Sequence, residues 1–243
     1  MRKGKIYIGT SGWSYKHWAG TFYPEDIKAD KQFAYYQDYF DTVELNNSFY
    51  HLPDRTTFRK WKEATPENFI FSVKGSRYIS HMKKLSDARE PLRAFLHNAR
   101  GLGRKLGPVL FQLPPGWKLN LERLQTFLKQ LPPTLRVAFE FRNMSWYTPE
   151  VYEALRAHDC AFCMYELAGH LSPLEVTADF VYIRLHGPGA KYQGSYRRTM
   201  LKKWAKRLLA WRDKGIDSYI YFDNDQAGYA AFNAQTLQEL ING

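Results

Sequence analysis

The stretch Arg136-Val-Ala-Phe-Glu-Phe-Arg-Asn-Met-Ser-Trp146 decides how the chain is read. Read as a strand, its side chains alternate between two faces. Val137, Phe139 and Phe141 share one face; Ala138, Glu140 and Arg142 share the other. Strands of a parallel sheet are covered on both faces and normally read as apolar throughout. A carboxylate and a guanidinium on the second face must therefore pair, meet water or serve a site.

The same alternation recurs on both sides of this stretch. A strand over Thr42–Phe49 places Glu44, Asn46 and Ser48 on one face, and Phe69–Gly75 places Ser72 and Lys74 there. Pro108–Leu113 contributes Gln112, Phe180–Leu185 leads through Arg184 to His186, and Ser218–Phe222 leads through Tyr221 to Asp223. The opposite parity is apolar: Val43 and Leu45, Phe71 and Val73, Ile183 and Leu185, Ile220 and Phe222. One face is thus fit to meet helices, and the other carries the chemistry.

Strands at Lys5–Ser11 and Ala161–Glu166 bring the count to eight, and helical patterns follow them. These lie near Lys31–Phe40, Thr56–Ala64 and Asp87–Ala99, after Asn120, from Thr148-Pro149, through Leu201–Trp211 and over Tyr229–Ile241, with a poor turn near Leu174–Thr177. Asn120 and Thr148 are N-cap residue types, and Pro149 suits a first helical position. Eight strand–helix units in 243 residues, with no linker or repeat, predict one domain over residues 1–243, an α/β (β/α)8 TIM-like barrel with a long aromatic-rich first loop. A doubly wound open sheet is the alternative, with fewer units and a reversal of strand order. In a barrel the polar faces look inward, and the site forms at the C-terminal ends of the strands.

Composition sets the outer bounds. With 44% hydrophobic and 24% charged residues the chain is an ordinary globular sequence. A net charge of +11 permits anionic partners without demanding them. The N-terminus enters a strand pattern at once and no apolar run reaches membrane length, which predicts a cytoplasmic protein with no membrane partner. Cys160 and Cys163 have C-x-x-C spacing, but they lie inside a strand-like run and read as two buried thiols rather than a redox or zinc motif.

Glu44, Glu140 and Asp223 against Lys74, Arg142 and Arg184 balance in formal charge, which suits a buried ion network. Such networks contribute little stability for their desolvation. Six ionisable groups with His186 in one cavity point instead to a functional pocket. A divalent metal on Glu44, Glu140, His186 and Asp223 is the lesser reading, because three cations compete for the same carboxylates and no H-E-x-x-H spacing occurs. No cofactor is therefore expected. Aromatics crowd the loops, and Trp13 and Trp146 are the candidates for a stacking wall. The loop Gly187–Gly194 offers only a weak phosphate signal, since Asp223 and Asp225 oppose an anion there. A basic run through Arg198, Lys202, Lys203, Lys206 and Arg207 reads first as a solvated face; as a nucleic-acid footprint it lacks a binding motif.

Several stretches together are recognisable. Ile8-Gly-Thr-Ser-Gly-Trp-Ser-Tyr15, Val43-Glu-Leu-Asn-Asn-Ser-Phe-Tyr50, Phe71-Ser-Val-Lys74, Phe111-Gln-Leu-Pro-Pro115, Phe139-Glu-Phe-Arg-Asn-Met-Ser-Trp146, Arg184-Leu-His-Gly187 and Asn233-Ala234 resemble the family known as domain of unknown function 72 (YecE-like). The resemblance spans essentially the whole chain. It implies a single TIM-like barrel, loosely grouped with sugar-isomerase-like barrels, and no settled activity. The family motifs fall on Glu44, Asn46, Lys74, Gln112, Glu140, Arg142, Arg184 and His186. One departure is Tyr221-Phe-Asp-Asn224, where members often carry Asn in place of Asp223.

The resulting expectation is an enzyme, isomerase- or hydrolase-like, acting on a small sugar-like or anionic metabolite. Its catalytic set would be Glu44, Lys74, Glu140, Arg142 and His186, with Glu140 or Glu44 as general acid or base. Trp13, Asn46, Gln112, Trp146, Arg184, Asp223 and Asn224 would bind substrate, Arg184 and Arg142 gripping a carboxylate or phosphate. The competing readings are a nucleic-acid-binding or nucleic-acid-processing protein and a non-catalytic metabolite-binding protein. The oligomeric state is not legible.

Overall fold

Parallel strand pairing organises the chain in the computed structural model, which describes residues 2–243. Nine strands occur among the described residues: β1 (Ile6–Thr10), β2 (Thr42–Leu45), β3 (Ile70–Lys74), β4 (Leu106–Leu113), β5 (Val137–Phe141), β6 (Ala161–Leu167), β7 (His170–Leu171), β8 (Phe180–Leu185) and β9 (Asp217–Phe222). Their order is β1-β9-β8-β6-β5-β4-β3-β2, with the short β7 pairing antiparallel to β6. Eight parallel strands alternating with helices place the fold in the expected (β/α)8 TIM-like class. No helix among the described residues is long and apolar enough to cross a membrane.

The chain divides into two compact units. The first comprises the chain up to Glu44, Met164–Ser172 and Phe180–Gly243. It holds β1, β8, β9 and the helices α1 (Gln32–Gln37), α7 (Arg198–Asp213) and α8 (Tyr229–Asn242). Register β1–β9–β8 is unbroken, with Ile8 opposite Ile220 and Ile220 opposite Ile183. Of the α7 stripe Leu201, Trp204, Ala205, Leu208 and Trp211 that the spacing predicts, the first four are buried and Trp211 is half-buried. The Tyr36 hydroxyl donates to the Thr42 carbonyl (3.0 Å) and accepts the Thr10 amide (3.1 Å), tying β1 to the start of β2. Gly9 makes that approach feasible, because a Cβ there would stand 2.3 Å from the Thr42 carbonyl oxygen.

The second unit comprises Leu45–Cys163 and Pro173–Asp179. It holds β3, β4, β5 and the helices α2 (Asn47–Tyr50), α3 (Arg55–Glu63), α4 (Arg89–Ala99), α5 (Leu121–Leu128) and α6 (Pro149–Arg156). Asn120 caps α5, its Oδ1 accepting the Arg123 amide at 2.9 Å, and Pro149 opens α6 after Thr148. Both cysteines are buried and free; burial pushes the Cys160 thiol up to about 12.

Two local expectations fail for identifiable reasons. β2 stops at Leu45 instead of running to Phe49, because Asn46 takes helical backbone angles and the Asn47 carbonyl Oδ1 accepts the Ser48 amide (2.9 Å). Asn side chains offer the backbone such local bonds in competition with a ladder. The segment near Leu174–Thr177 is not helical. There the Thr177 hydroxyl accepts the Phe162 amide and donates to the Cys160 carbonyl, each at 2.7 Å, so it substitutes for a strand neighbour.

Candidate functional site

The ends of β2, β8 and β9 place four ionisable side chains of the first unit in one hydrogen-bonded chain. Arg184 grips Glu44 in bidentate fashion, Nε to Oε2 at 2.9 Å and Nη2 to Oε1 at 2.8 Å. Tyr182 Oη donates to Glu44 Oε2 at 2.7 Å, and Ser11 Oγ donates to Oε1. Arg184 Nη2 also reaches Asp223 Oδ2 at 3.1 Å, and Nη1 reaches His186 Nε2 at 3.2 Å. A guanidinium has only donors, so Nε2 accepts; Nδ1 therefore holds the proton and donates to Asp223 Oδ2 at 2.9 Å.

Exposure separates these four. Glu44 and His186 are 0% exposed and Arg184 1%, whereas the Asp223 side chain keeps 17%. Asp223 is thus the member of the cluster that meets solvent. Asp225 lies close by, its carboxyl raised by burial and then by the Asp223 charge, with the His17 ring 3.5 Å from Oδ2. Tyr15 is held protonated, chiefly by burial and then by Asp223 and Asp225. The Tyr192 ring stands 5.5 Å from that of His186.

In the second unit, Glu140 and Arg142 point the same way from β5, as their parity predicts, and Arg142 Nε donates to Glu140 Oε1. Cys163 Sγ stands 3.9 Å from Oε2. Gln112 lies opposite Glu140 in the β4–β5 register. Lys74 ends β3 with Nζ 4.5 Å from the Phe49 ring centroid, and the same ring meets His81 edge-on at 5.0 Å. His81 is lowered from 6.5 to about 4, first by burial and then by Lys74 and Arg77. The unfolded chain therefore binds this proton before the folded one does, and stability is lost as pH falls from about 6.5 through about 4. Chemical unfolding of His81→Gln across that window is expected to show a shallower loss than the unsubstituted chain.

Several expected roles need correction. Trp146 is 0% exposed, stacked on Phe141 at 4.9 Å with Nε1–H donating to the Trp117 carbonyl (2.8 Å), so it is a core residue and not a stacking wall. Trp13 is half-buried against Phe33, ring centroids 4.4 Å apart. Asn46 lies past the end of β2, and Arg184 is turned inward onto Glu44 rather than outward as an anion clamp. Asn224 is fully buried, its Nδ2 donating to the Gly194 carbonyl (2.7 Å) and to Asn233 Oδ1 (2.9 Å). Asn233 Oδ1 also accepts the Tyr196 amide (2.9 Å), and Tyr196 Oη accepts the Gly187 amide (3.0 Å). Asn224 thus anchors the Gly187–Tyr196 loop instead of facing a substrate. The signal in the sequence that points to Asn233 is its polar side chain, which interrupts the apolar stripe Ala230, Ala231 and Ala234 of α8.

A family model described as protein of unknown function DUF72 matches residues 7–243. The chain belongs to the DUF72 family. The UPF0759 protein YunF of Bacillus subtilis (strain 168) is 28% identical to the DUF72 chain over 275 residues, spanning 98% of this chain and 95% of YunF. The UPF0759 protein YecE of Escherichia coli (strain K12) is 29% identical over 143 residues, 58% of this chain and 50% of YecE. A crystal structure of a DUF72 family protein from Thermotoga maritima superposes with a TM-score of 0.89 at 29% identity, over 98% of this chain and 100% of that one. A DUF72 family protein from Enterococcus faecalis follows at a TM-score of 0.83 over 98% and 96% of the two chains, and at 21% identity shares the fold.

Proposed function

We propose that this DUF72 chain is an enzyme that performs general acid–base chemistry on a small polar metabolite at the exposed end of the Glu44–Arg184–Asp223–His186 cluster. What carries the reading is one observation: three of the four groups are 1% exposed or less, and the fourth, Asp223, opens to solvent. Burying this many charges is a weak route to stability, and clustered ionisable groups mark sites. In this reading Asp223 and His186 handle the proton. Arg184 and Glu44 position them, Arg184 by holding Asp223 Oδ2 and His186 Nε2 together. The His186–Asp223 hydrogen bond fixes the tautomer, the orienting role a carboxylate plays toward a catalytic imidazole.

A panel of polyols, sugars and their carboxylated and phosphorylated forms, read by thermal shift and then by product analysis, tests the reading. At least one compound is expected to stabilise the protein and to be turned over. Asp223→Asn keeps an acceptor for His186 but removes the base, so kcat should fall by about 10²–10⁴ with KM little changed. A compound that binds but is returned chemically unchanged would make this a binding protein and defeat the enzymatic reading.

A further inference from the structure

The loop after β3 gathers a second set of groups, all in the second unit, that the reaction above does not use. One buried ring, Phe49, touches both the Lys74 ammonium and the His81 imidazole. Ser48 Oγ donates to the Lys74 carbonyl at 2.7 Å and fixes the strand end that presents the lysine. His81 sits in a π-helical turn, Tyr78–Met82, and the backbone beyond it is left-handed at Lys84, Leu85 and Asp87 (φ 47°, 63° and 44°). π-Helical turns and left-handed non-glycine residues are both costly, and both concentrate at functional sites.

The hydrogen bonds around the imidazole define its state. Ser80 Oγ donates to the Ser76 carbonyl (3.2 Å), so toward His81 Nδ1, 2.9 Å away, it must accept. Nδ1 therefore carries the proton of the neutral ring, and Nε2 holds a lone pair. Burial first, and then the positive charge of Lys74 and Arg77, keeps the ring from taking a second proton. An anion entering beside them offsets the charge part of that balance and favours the protonated ring.

We propose that Lys74, Arg77 and His81 form a binding site for a phosphate-type oxyanion, His81 taking up a proton from solvent at Nε2 as the anion enters. The lysine supplies a point charge, the arginine a planar fork, and the protonated imidazole a second directed donor. A tetrahedral oxyanion, with more acceptor oxygens than the two of a carboxylate, matches three such groups better. The site stands on its own geometry and does not depend on the acid–base reading above.

The test follows the His81 ring proton by NMR as a function of pH, without added anion and with millimolar inorganic phosphate, acetate or chloride at matched ionic strength. Without phosphate the midpoint should lie near 4. Phosphate should raise it saturably, chloride should not, and acetate should act more weakly. Lys74→Met, which keeps the stem against Phe49, should weaken the apparent phosphate affinity by about tenfold or more. Arg77→Gln, at an exposed position, should also weaken it and serves should the lysine variant fail to fold. A midpoint that phosphate leaves unmoved, that chloride moves equally, or that responds to phosphate undiminished in the variants overturns the proposal. Equal or stronger action of acetate overturns the phosphate class.

Discussion

Replacing Arg184 by Met is expected to destabilise the protein by about 3–5 kcal/mol, because it leaves the buried charge of Glu44 without its counter-ion. The geometry makes this a severe case. Glu44 is 0% exposed, and Arg184 supplies two hydrogen bonds to it shorter than 3 Å. The Tyr182 and Ser11 hydroxyls remain, but a hydroxyl brings no charge to a carboxylate in a low-dielectric interior. The same change releases Asp223 Oδ2 and His186 Nε2 from Nη2 and Nη1. At about 2–4 °C per kcal/mol for a chain of this size, calorimetry should record a Tm lower by about 10 °C. Adding Glu44→Gln to Arg184→Met should recover part of the loss, since the amide needs no counter-ion, and the deviation from additivity measures the coupling. A single-variant loss under about 1 kcal/mol would mean that water reaches Glu44 and that the cluster is not a buried one.

Side-chain direction follows from sequence parity where period two is a property of the backbone. Glu44, Arg184 and Asp223 converge in the first unit because strands β2, β8 and β9 keep strict alternation to their ends, and Tyr182 joins Glu44 from the same face. Glu140 and Arg142 likewise emerge together from β5. Past the last ladder bond the same arithmetic loses its basis. Parity places Asn46 in the strand, yet the Asn46-Asn47 pair turns the chain into a helical turn. The direction of a loop side chain depends on what it packs against. Residue type alone points Trp146 and Asn224 toward a ligand, whereas Trp117 and Asn233 claim their polar groups. Asn233 could have been found as a lone amide in an apolar helical stripe, which asks what its hydrogen bonds are for. His81 had no comparable pattern, because a single π-helical turn has no sequence period. In both units strand ends were legible and loops were not.

Trp146→Ala is expected to cost about 3–5 kcal/mol through the cavity it leaves, with a further contribution from the orphaned Trp117 carbonyl. The indole is 0% exposed, stacks on Phe141 with planes 22° apart and meets Trp117 edge-on at 5.1 Å. Its Nε1–H is donated to the Trp117 carbonyl at 2.8 Å. Trp146→Phe separates the two effects: it retains most of the aromatic packing and removes the donor, so urea unfolding should show a loss of about 1–3 kcal/mol. Ligand binding discriminates the roles. A tryptophan that stacked on substrate would lose most of its affinity on truncation to alanine even where the protein stays folded. A core tryptophan lowers Tm while a compound that stabilises the wild type still stabilises Trp146→Phe by a similar increment. Loss of that increment with an unchanged unfolding midpoint would return Trp146 to the ligand. It would also require the Phe141–Trp146 stack to open in solution, since in the closed stack the indole has no face accessible to a second ring.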